Sequence, residues 1–210
     1  MNGSAAKRPV LADAMLEGER VVLRPLVPGD AEAAFPLIHE RAPVLEWLVW
    51  QGPKDVADLR KRFEHWHSST EGGHGYRFAV VERETQSFVG TMGLGCGDPL
   101  FNTELGYWLA EEAWGRGFGS EAIKLADRLA FGYLKTTVVT AEVFVGNHAS
   151  CKVLERNGFQ RESRTQRAPG VPIHARGSER WFYTLTRGDY TRANADYRAP
   201  VERVDLVATG

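Results

Sequence analysis

This chain of 210 residues has little cysteine, no excess of one charge and no long apolar run. Its two cysteines, Cys96 and Cys151, are too few for a disulfide framework and fit a reducing compartment, which predicts a cytoplasmic protein. The 26 basic and 27 acidic side chains leave a formal charge of −1, so electrostatics give no reason to expect a nucleic acid or a membrane as partner. No apolar run approaches the length of a membrane span, and Met1–Leu16 lacks the apolar core of a secretory signal.

The six histidines show no pattern of metal ligation. Three of them, His65, His67 and His74, lie close together in the sequence, but no cysteine or carboxylate accompanies them at the spacing that metal ligands take. We therefore expect no metal in this protein.

The sequence does contain enough apolar material for one core, since 43% of its residues are hydrophobic. We expect a single domain over residues 16–190, between a flexible arm over 1–15 and a tail over 191–210. Periodicity predicts strands at 21–25, 76–82, 88–95, 104–109, 137–145, 159–165 and 180–186, and helices at 30–40, 55–68, 120–133 and 147–157. Because a helix separates strand 104–109 from strand 137–145, these two should pair in parallel within an α/β fold.

One segment, from Glu104 to Lys124, organises the rest of the chain. It predicts a short strand, a tight turn, a glycine-spaced loop and then a helix with Ser120 as its N-cap. Gly115, Gly117 and Gly119 occupy every second position of the loop, where the backbone must approach another group closely or adopt a positive φ.

A glycine loop that leads into a helix presents unpaired N–H groups, which favour an anion such as phosphate. The spacing is not that of a nucleoside-triphosphate loop, because the Gly-Lys-Ser/Thr ending is absent. A dinucleotide site would require its glycines directly after the strand, whereas Ala110–Trp114 intervene and Ser120 holds the sixth position. A glycine-rich turn without any ligand remains the alternative.

Three motifs taken together resemble one family. Trp114-Gly-Arg-Gly-Phe-Gly119, preceded by Glu104-Leu-Gly-Tyr-Trp-Leu109 and followed by Asn147-His-Ala-Ser150 and Leu154-Glu-Arg-Asn-Gly-Phe159, is similar to the GCN5-related N-acetyltransferases (GNAT). Within them the chain is most similar to the RimJ/RimL-like branch, which acetylates the N-termini of ribosomal proteins. The resemblance implies a mostly antiparallel central sheet with one parallel, splayed strand pair, flanked by helices, and acetyl-coenzyme A (acetyl-CoA) as co-substrate.

The resemblance also implies where acetyl-CoA binds. The family signature Q/R-x-x-G-x-G/A holds the pyrophosphate with backbone amides, and Trp114 stands here at the Gln or Arg position. The residues that it assigns to the coenzyme are Trp108, Leu109 and Ala110 at the pantetheine and thioester, Trp114, Gly115, Arg116, Gly117, Phe118, Gly119 and Ser120 at the pyrophosphate, and Asn147.

The same resemblance assigns two catalytic residues and one wall of the acceptor pocket. Ser150 matches a hydroxyl that protonates the leaving thiolate, and Glu104 matches a strand carboxylate that accepts the proton of the amine. Trp47 and Trp50 fall in the segment that lines the acceptor pocket. Without the resemblance, simpler roles remain open. Ser150 and Asn147 could bond only within their own helix. Glu104 could be an exposed carboxylate, and Trp47 and Trp50 could fill the core.

The resemblance favours a primary amine at a protein N-terminus as acceptor. An α-amine has a pKa near 7.7–8.0, against about 10.4 for lysine, so a larger fraction of it is neutral and reactive at physiological pH. One alternative is an enzyme of the same fold that acetylates a small amine, such as an antibiotic or polyamine, or transfers a longer acyl group. The other is a module that binds the coenzyme without turnover. We expect a monomer or a homodimer.

Overall fold

The computed structural model describes residues 10–39, 41–71, 75–96, 102–165, 179–197 and 201–207. The strands in these ranges are β1 (Val10–Glu17), β2 (Val21–Pro25), β3 (Gly75–Glu82), β4 (Phe88–Cys96), β5 (Asn102–Leu109), β6 (Val138–Phe144), β7 (Gln160–Thr165), β8 (Arg180–Thr186) and β9 (Val201–Val207). The α-helices are α1 (Ala31–Ile38), α2 (Val56–Glu71), α3 (Phe118–Arg128), α4 (His148–Arg156) and α5 (Arg187–Ala193), and a π-helical turn, Leu129–Tyr133, continues α3. Within the described ranges no helix is long and apolar enough to cross a bilayer.

The strands form one sheet in the order β7-β8-β6-β5-β4-β3-β2-β1-β9. Neighbouring strands run antiparallel except β5 and β6, which are parallel, as expected for strands joined through a helix. The parallel pairing covers only Asn102–Glu104 against Val138–Thr140, although both strands continue beyond it. β5 therefore stays paired with β4 up to Leu109 while it separates from β6. The predicted mixed fold with a splayed parallel pair is confirmed.

Two apolar clusters cover the two faces of the sheet. One joins α3 and α4 to the sheet, with Leu125 and Leu154 fully buried against the odd-numbered positions of β5. The other joins α1 and α2 to the opposite face, with Phe63 of α2 fully buried and Trp108 of β5 buried in the same cluster. The alternation of β5 thus divides its side chains between the two faces. The helical stripes predicted for α2 and α3 are confirmed.

The predicted arm and tail are corrected where the structure describes them. Residues 10–17 form β1, which pairs with β2 on one side and with β9 (Val201–Val207) on the other. Ala14 and Leu16 are fully buried, so this part of the chain belongs to the core. Pairing between the two ends of a chain depends on contacts distant in sequence, which local periodicity does not report. Residues 1–9 and 208–210 lie outside the described part.

Of two predicted helix starts, Asp30 does hold the N-cap position of α1, though without a side-chain cap, and the start at Ser120 is corrected. Asp30 accepts hydrogen bonds from the Arg24 guanidinium at 2.6 and 2.9 Å and from the Val27 N–H at 2.9 Å, so it closes the turn before α1 and makes no side-chain cap to α1 itself. α1 ends at Ile38. α3 begins at Phe118, two residues before the predicted N-cap, because Gly117 adopts the left-handed conformation that starts the helix.

Candidate active site

The separation of β5 from β6 leaves backbone groups of β5 facing the gap between them. The Ala110 N–H donates to the Val89 carbonyl at 2.9 Å, and the antiparallel register pairs Trp108 with β4 in the same way. Tyr107 and Leu109, at the intervening positions, point their backbone groups toward β6. Three residues are predicted to meet the pantetheine through their backbone. In the structure the backbone groups of Leu109 face the gap, whereas those of Trp108 and Ala110 face β4.

The Trp114 side chain connects the glycine loop to the end of β5. Its indole Nε1 donates to the Leu109 carbonyl at 2.8 Å, while 43% of the residue is exposed. At the position where the family has Gln or Arg, this chain thus has a side chain that fixes the loop by bonding to the end of β5. The Leu109 carbonyl is occupied by that bond.

The glycine loop has the geometry of an anion cradle. Gly115 and Gly117 have φ values of 72° and 83°, in the left-handed region that glycine adopts without strain. Gly117 is the N-cap of α3, and among the described residues no side chain caps this end of the helix, so its first N–H groups are open to a ligand. A Cβ on Gly115 would meet no atom within 4 Å, which shows that this side of the loop is open.

The remaining loop side chains hold the loop in place. Arg116 forms an ion pair with Glu82 of β3, and its guanidinium lies 4.4 Å from the centre of the Phe118 ring, which is itself buried. The Ser120 hydroxyl accepts a hydrogen bond at 3.1 Å from Asn157, the residue that ends α4, and does not cap α3. These contacts tie the start of α3 to both β3 and α4.

Ser150 lies in the first turn of α4 and faces β5. Its hydroxyl lies 2.9 Å from the hydroxyl of Tyr107, and its N–H donates to the Asn147 side-chain oxygen at 3.0 Å. Asn147 is thus the N-cap of α4, and its predicted contact with the coenzyme remains a prediction. Desolvation raises the pKa of Tyr107 to about 12, against a smaller opposing effect of its hydrogen bond with Ser150. The phenol therefore stays protonated at neutral pH.

The opposite face of β5 carries the predicted base. Glu104, Gly106 and Trp108 share this face, as predicted; Glu104 is exposed, and a Cβ on Gly106 would meet nothing within 4 Å. The Trp108 indole is buried, with its centre 6.0 Å from that of Phe88. The surface around Glu104 and Gly106 is consequently open.

The structure separates the two predicted pocket tryptophans. The Trp47 ring lies 3.7 Å from the position of a Cβ on Gly146, directly before Asn147. Trp50 instead packs toward α2, where the Arg62 guanidinium lies 4.4 Å from the centre of its ring. Trp47 is therefore next to the start of α4, whereas the observed contact of Trp50 is with α2. We also expect the connection 166–179 to border the acceptor from the other side, and all of it up to residue 178 lies outside the described residues.

The fold and these motifs agree with known proteins. Residues 20–160, more than half of the chain, match the family model of the acetyltransferase (GNAT) domain. The chain belongs to the GNAT family. The uncharacterized N-acetyltransferase p20 of Bacillus licheniformis is 31% identical over 145 residues, which cover 69% of this chain and 81% of p20. This GNAT protein is therefore an acetyl-CoA-dependent acetyltransferase.

Two solved structures show the same fold. Mycobacterium smegmatis RimJ, in complex with CoA-disulfide, is similar with a TM-score of 0.76 at 19% identity, over 90% of this chain and 96% of that one. RimL, the ribosomal L7/L12 alpha-N-protein acetyltransferase, is similar with a TM-score of 0.72 at 18% identity, over 82% and 93% of the two chains. At these identities the likeness concerns the fold alone.

The residues of this GNAT domain fit acetyl-CoA. The uncapped amides of α3 suit a pyrophosphate, and the open gap beside Tyr107 and Leu109 suits an extended arm with amide groups. Sequence reasoning missed Tyr107, because alternation makes it look like an ordinary core residue and its partner Ser150 lies 43 positions away. The sequence feature that could have pointed to Tyr107 is that it shares a strand face with Leu109, opposite Glu104.

Proposed function

We propose that this enzyme transfers the acetyl group of acetyl-CoA directly to the α-amine at a protein N-terminus, in a ternary complex. The observation that supports this most is the separation of β5 from β6 beyond Glu104. The gap connects two faces of the sheet: the glycine loop, Tyr107 and Ser150 lie on the side of α3 and α4, and Glu104 lies on the side of α1 and α2.

Each side of the gap then has its own substrate. The amides at the start of α3 hold the pyrophosphate, and the backbone of Tyr107 and Leu109 aligns the pantetheine arm. When bound, acetyl-CoA supplies a thioester whose carbonyl carbon accepts the amine and whose thiolate leaves. Trp47 borders the acceptor near the start of α4. Trp50 supports that segment by packing against α2.

Proton transfer is divided between the two faces. Glu104 accepts the proton that the amine loses, directly or through water. Ser150 donates a proton to the departing sulfur. Either hydroxyl could donate in the 2.9 Å contact between Tyr107 and Ser150. We assign Tyr107 as the donor, because this leaves the hydrogen of Ser150 free to point at the sulfur. Tyr107 is a positioning residue, and Ser150 is the catalytic one.

Two considerations support this class of acceptor: the chemistry of the amine and the name of a protein with the same fold. RimL is named for acetylation of an α-amine on a ribosomal protein, and its fold matches over 82% of this chain. An α-amine, with its pKa near 7.7–8.0, also demands less of an exposed carboxylate such as Glu104 than a lysine amine does. A small free amine is the second candidate, because the open surface at Gly106 sets no lower limit on acceptor size.

Peptide substrates test the proposal. We would offer four peptides, with free or blocked N-termini and with or without an internal lysine, together with a panel of small amines including polyamines. Acetylation should follow the free N-terminus and ignore the lysine, as located by fragmentation mass spectrometry. Turnover of small amines alone would make the second candidate correct, and CoA binding without any turnover would make the protein a binding module.

A further inference from the structure

We propose that Arg20, in the turn between β1 and β2, binds the pyrophosphate of the coenzyme together with the glycine loop. The inference rests on the proposed coenzyme site. It adds a side chain from the far end of the chain to a site that the motif alone describes as backbone. Arg20 lies 95 or more positions before the loop glycines, and no motif pointed to it.

The position of Arg20 is defined by its contact with the loop. Its Nη1 lies 2.9 Å from the position that a Cβ on Gly117 would take, so the guanidinium rests against the N-cap of α3. Among the described residues the Arg20 guanidinium has no acidic partner and no carbonyl acceptor. It is exposed on its outer side, where a ligand has access.

The turn that carries Arg20 is held against α3 by a buried carboxylate. Glu121, in the first turn of α3, accepts hydrogen bonds from the N–H groups of Glu19, Arg20 and Val21 at 2.6, 2.9 and 3.1 Å. Gly18 permits this approach, because a Cβ there would lie 2.6 Å from the Glu121 carboxyl carbon. The backbone of Arg20 is thereby fixed relative to the loop before any ligand binds.

The charges around the loop point to an anion. The start of a helix carries a partial positive charge, so a guanidinium beside it is unfavourable unless a negative group lies between them. Glu121 contributes a negative charge to the first turn of α3, but its carboxylate oxygens accept from the backbone of the β1–β2 turn and form no ion pair with the Arg20 guanidinium. Arg116 is already paired with Glu82. A pyrophosphate between the α3 amides and Arg20 would accept hydrogen bonds from both, as charge-assisted contacts.

Binding measurements test the role of Arg20 without relying on turnover. We would titrate the full chain with CoA and with dephospho-CoA, which keeps the pyrophosphate and lacks the 3′-phosphate, by isothermal calorimetry. Arg20→Ala should weaken both ligands by about tenfold to a hundredfold, the range of charge-assisted hydrogen bonds. Arg20→Lys should recover part of the loss, because it keeps the charge without the planar fork. Arg161→Ala, at an exposed arginine beside Trp181 in the sheet region of β7 and β8, is the matched control and should bind normally.

The outcomes separate the possible errors. If wild-type protein does not bind CoA, the coenzyme site itself is wrong. If wild-type binds and Arg20→Ala binds equally well, the inference about Arg20 is wrong. If Arg20→Ala weakens CoA but leaves dephospho-CoA unchanged, Arg20 reads the 3′-phosphate and the pyrophosphate assignment is overturned. If ligand-free Arg20→Ala melts at a lower temperature, and Arg161→Ala loses as much CoA affinity as Arg20→Ala does, the weaker binding reflects damage to the fold and the inference about Arg20 is wrong.

A double-mutant cycle tests the carboxylate that positions the turn. Glu121→Gln removes the charge that holds three N–H groups, so it should weaken CoA binding in the wild-type background. In the Arg20→Ala background it should add less than about twofold, because the residue that it positions is gone. Equal losses in both backgrounds would show that Glu121 acts on the loop without Arg20.

Discussion

Tyr107 and Ser150 join β5 to α4 through one hydroxyl–hydroxyl contact of 2.9 Å. The two residues differ in what they can do. Ser150 sits at the start of a helix whose N-cap, Asn147, fixes its backbone, so its hydroxyl has a defined position. Desolvation raises the pKa of Tyr107 to about 12, so its phenol keeps its proton at neutral pH.

We expect Ser150→Ala to lower kcat by about a hundredfold or more, the range for general acid–base groups, with little change in CoA affinity. Tyr107→Phe should lower kcat by less, because water can still orient Ser150. The double variant should be no slower than Ser150→Ala, since Tyr107 acts through Ser150. Steady-state kinetics and CoA titrations measure both quantities. A change under threefold in Ser150→Ala would leave Ser150 with a role in helix structure only.

Asp127 of α3 offers a second prediction at the scale of one residue. It is fully buried, and its two carboxylate oxygens have no hydrogen-bond partner among the described residues. Desolvation therefore raises its pKa well above the ordinary 3.8. The folded state holds this proton more tightly than the unfolded state does, so the free energy of unfolding falls as the pH rises above about 3.8 toward the folded-state pKa.

We expect Asp127→Asn to be more stable than wild-type at pH 8, by about 1 kcal/mol or more, because the amide carries no ionisation penalty. The difference should shrink as the pH approaches 4. Urea unfolding at pH 4.5, 6 and 8 measures it, with Asp196→Asn at an exposed position as the control. A variant that loses stability equally at all three pH values would show that the carboxylate has a partner that asparagine cannot replace.

At the scale of elements, the helix α3 shows what sequence patterns can and cannot predict. Its buried stripe, with Leu125 and Leu129 fully buried, follows from 3.6-residue spacing. The first residue of α3 does not, since Ser120 is a common N-cap type but Gly117, three residues before it, is the actual N-cap. The parallel pairing of β5 with β6 was predictable from the intervening helix, whereas the turning of Trp108 and Ala110 toward β4 depended on register.

The loop before α3 gives a prediction of its own. Gly117→Val places a β-branched residue at a φ of 83° and a Cβ within 2.9 Å of the Arg20 guanidinium. The strain should cost about 1–2 kcal/mol of stability. It should also abolish the rise in melting temperature with CoA, which for wild-type at a hundredfold excess over Kd corresponds to about 2.7 kcal/mol. Gly29→Val, where a Cβ meets nothing within 4 Å, is the control. Normal CoA stabilisation of Gly117→Val would make the loop purely structural.

At the scale of the whole molecule, the two ends of the chain meet in the sheet. β9 pairs with β1 along the strand from Val10 to Glu17, with one irregularity between Leu11 and Asp13. β1 in turn leads into the turn that carries Arg20, so β9 supports, through β1, the turn that we propose to bind the coenzyme. Sequence periodicity placed the core strands correctly, but it cannot identify a pair formed by residues almost 200 positions apart.

Removal of residues 200–210 should therefore do more than shorten a tail. It would leave β1 as an unpaired edge strand, and exposed edges promote association between chains. We expect the truncated protein to melt at a lower temperature, to associate at concentrations where the full chain does not, and to bind CoA more weakly because the Arg20 turn loosens. Differential scanning calorimetry, light scattering and CoA titration measure the three effects. Removal of 208–210 alone, beyond the last residue of β9, should change none of them. If the longer truncation melts and binds like the full chain, β9 does not contribute to the folded enzyme, and the support that it gives to Arg20 through β1 is wrong.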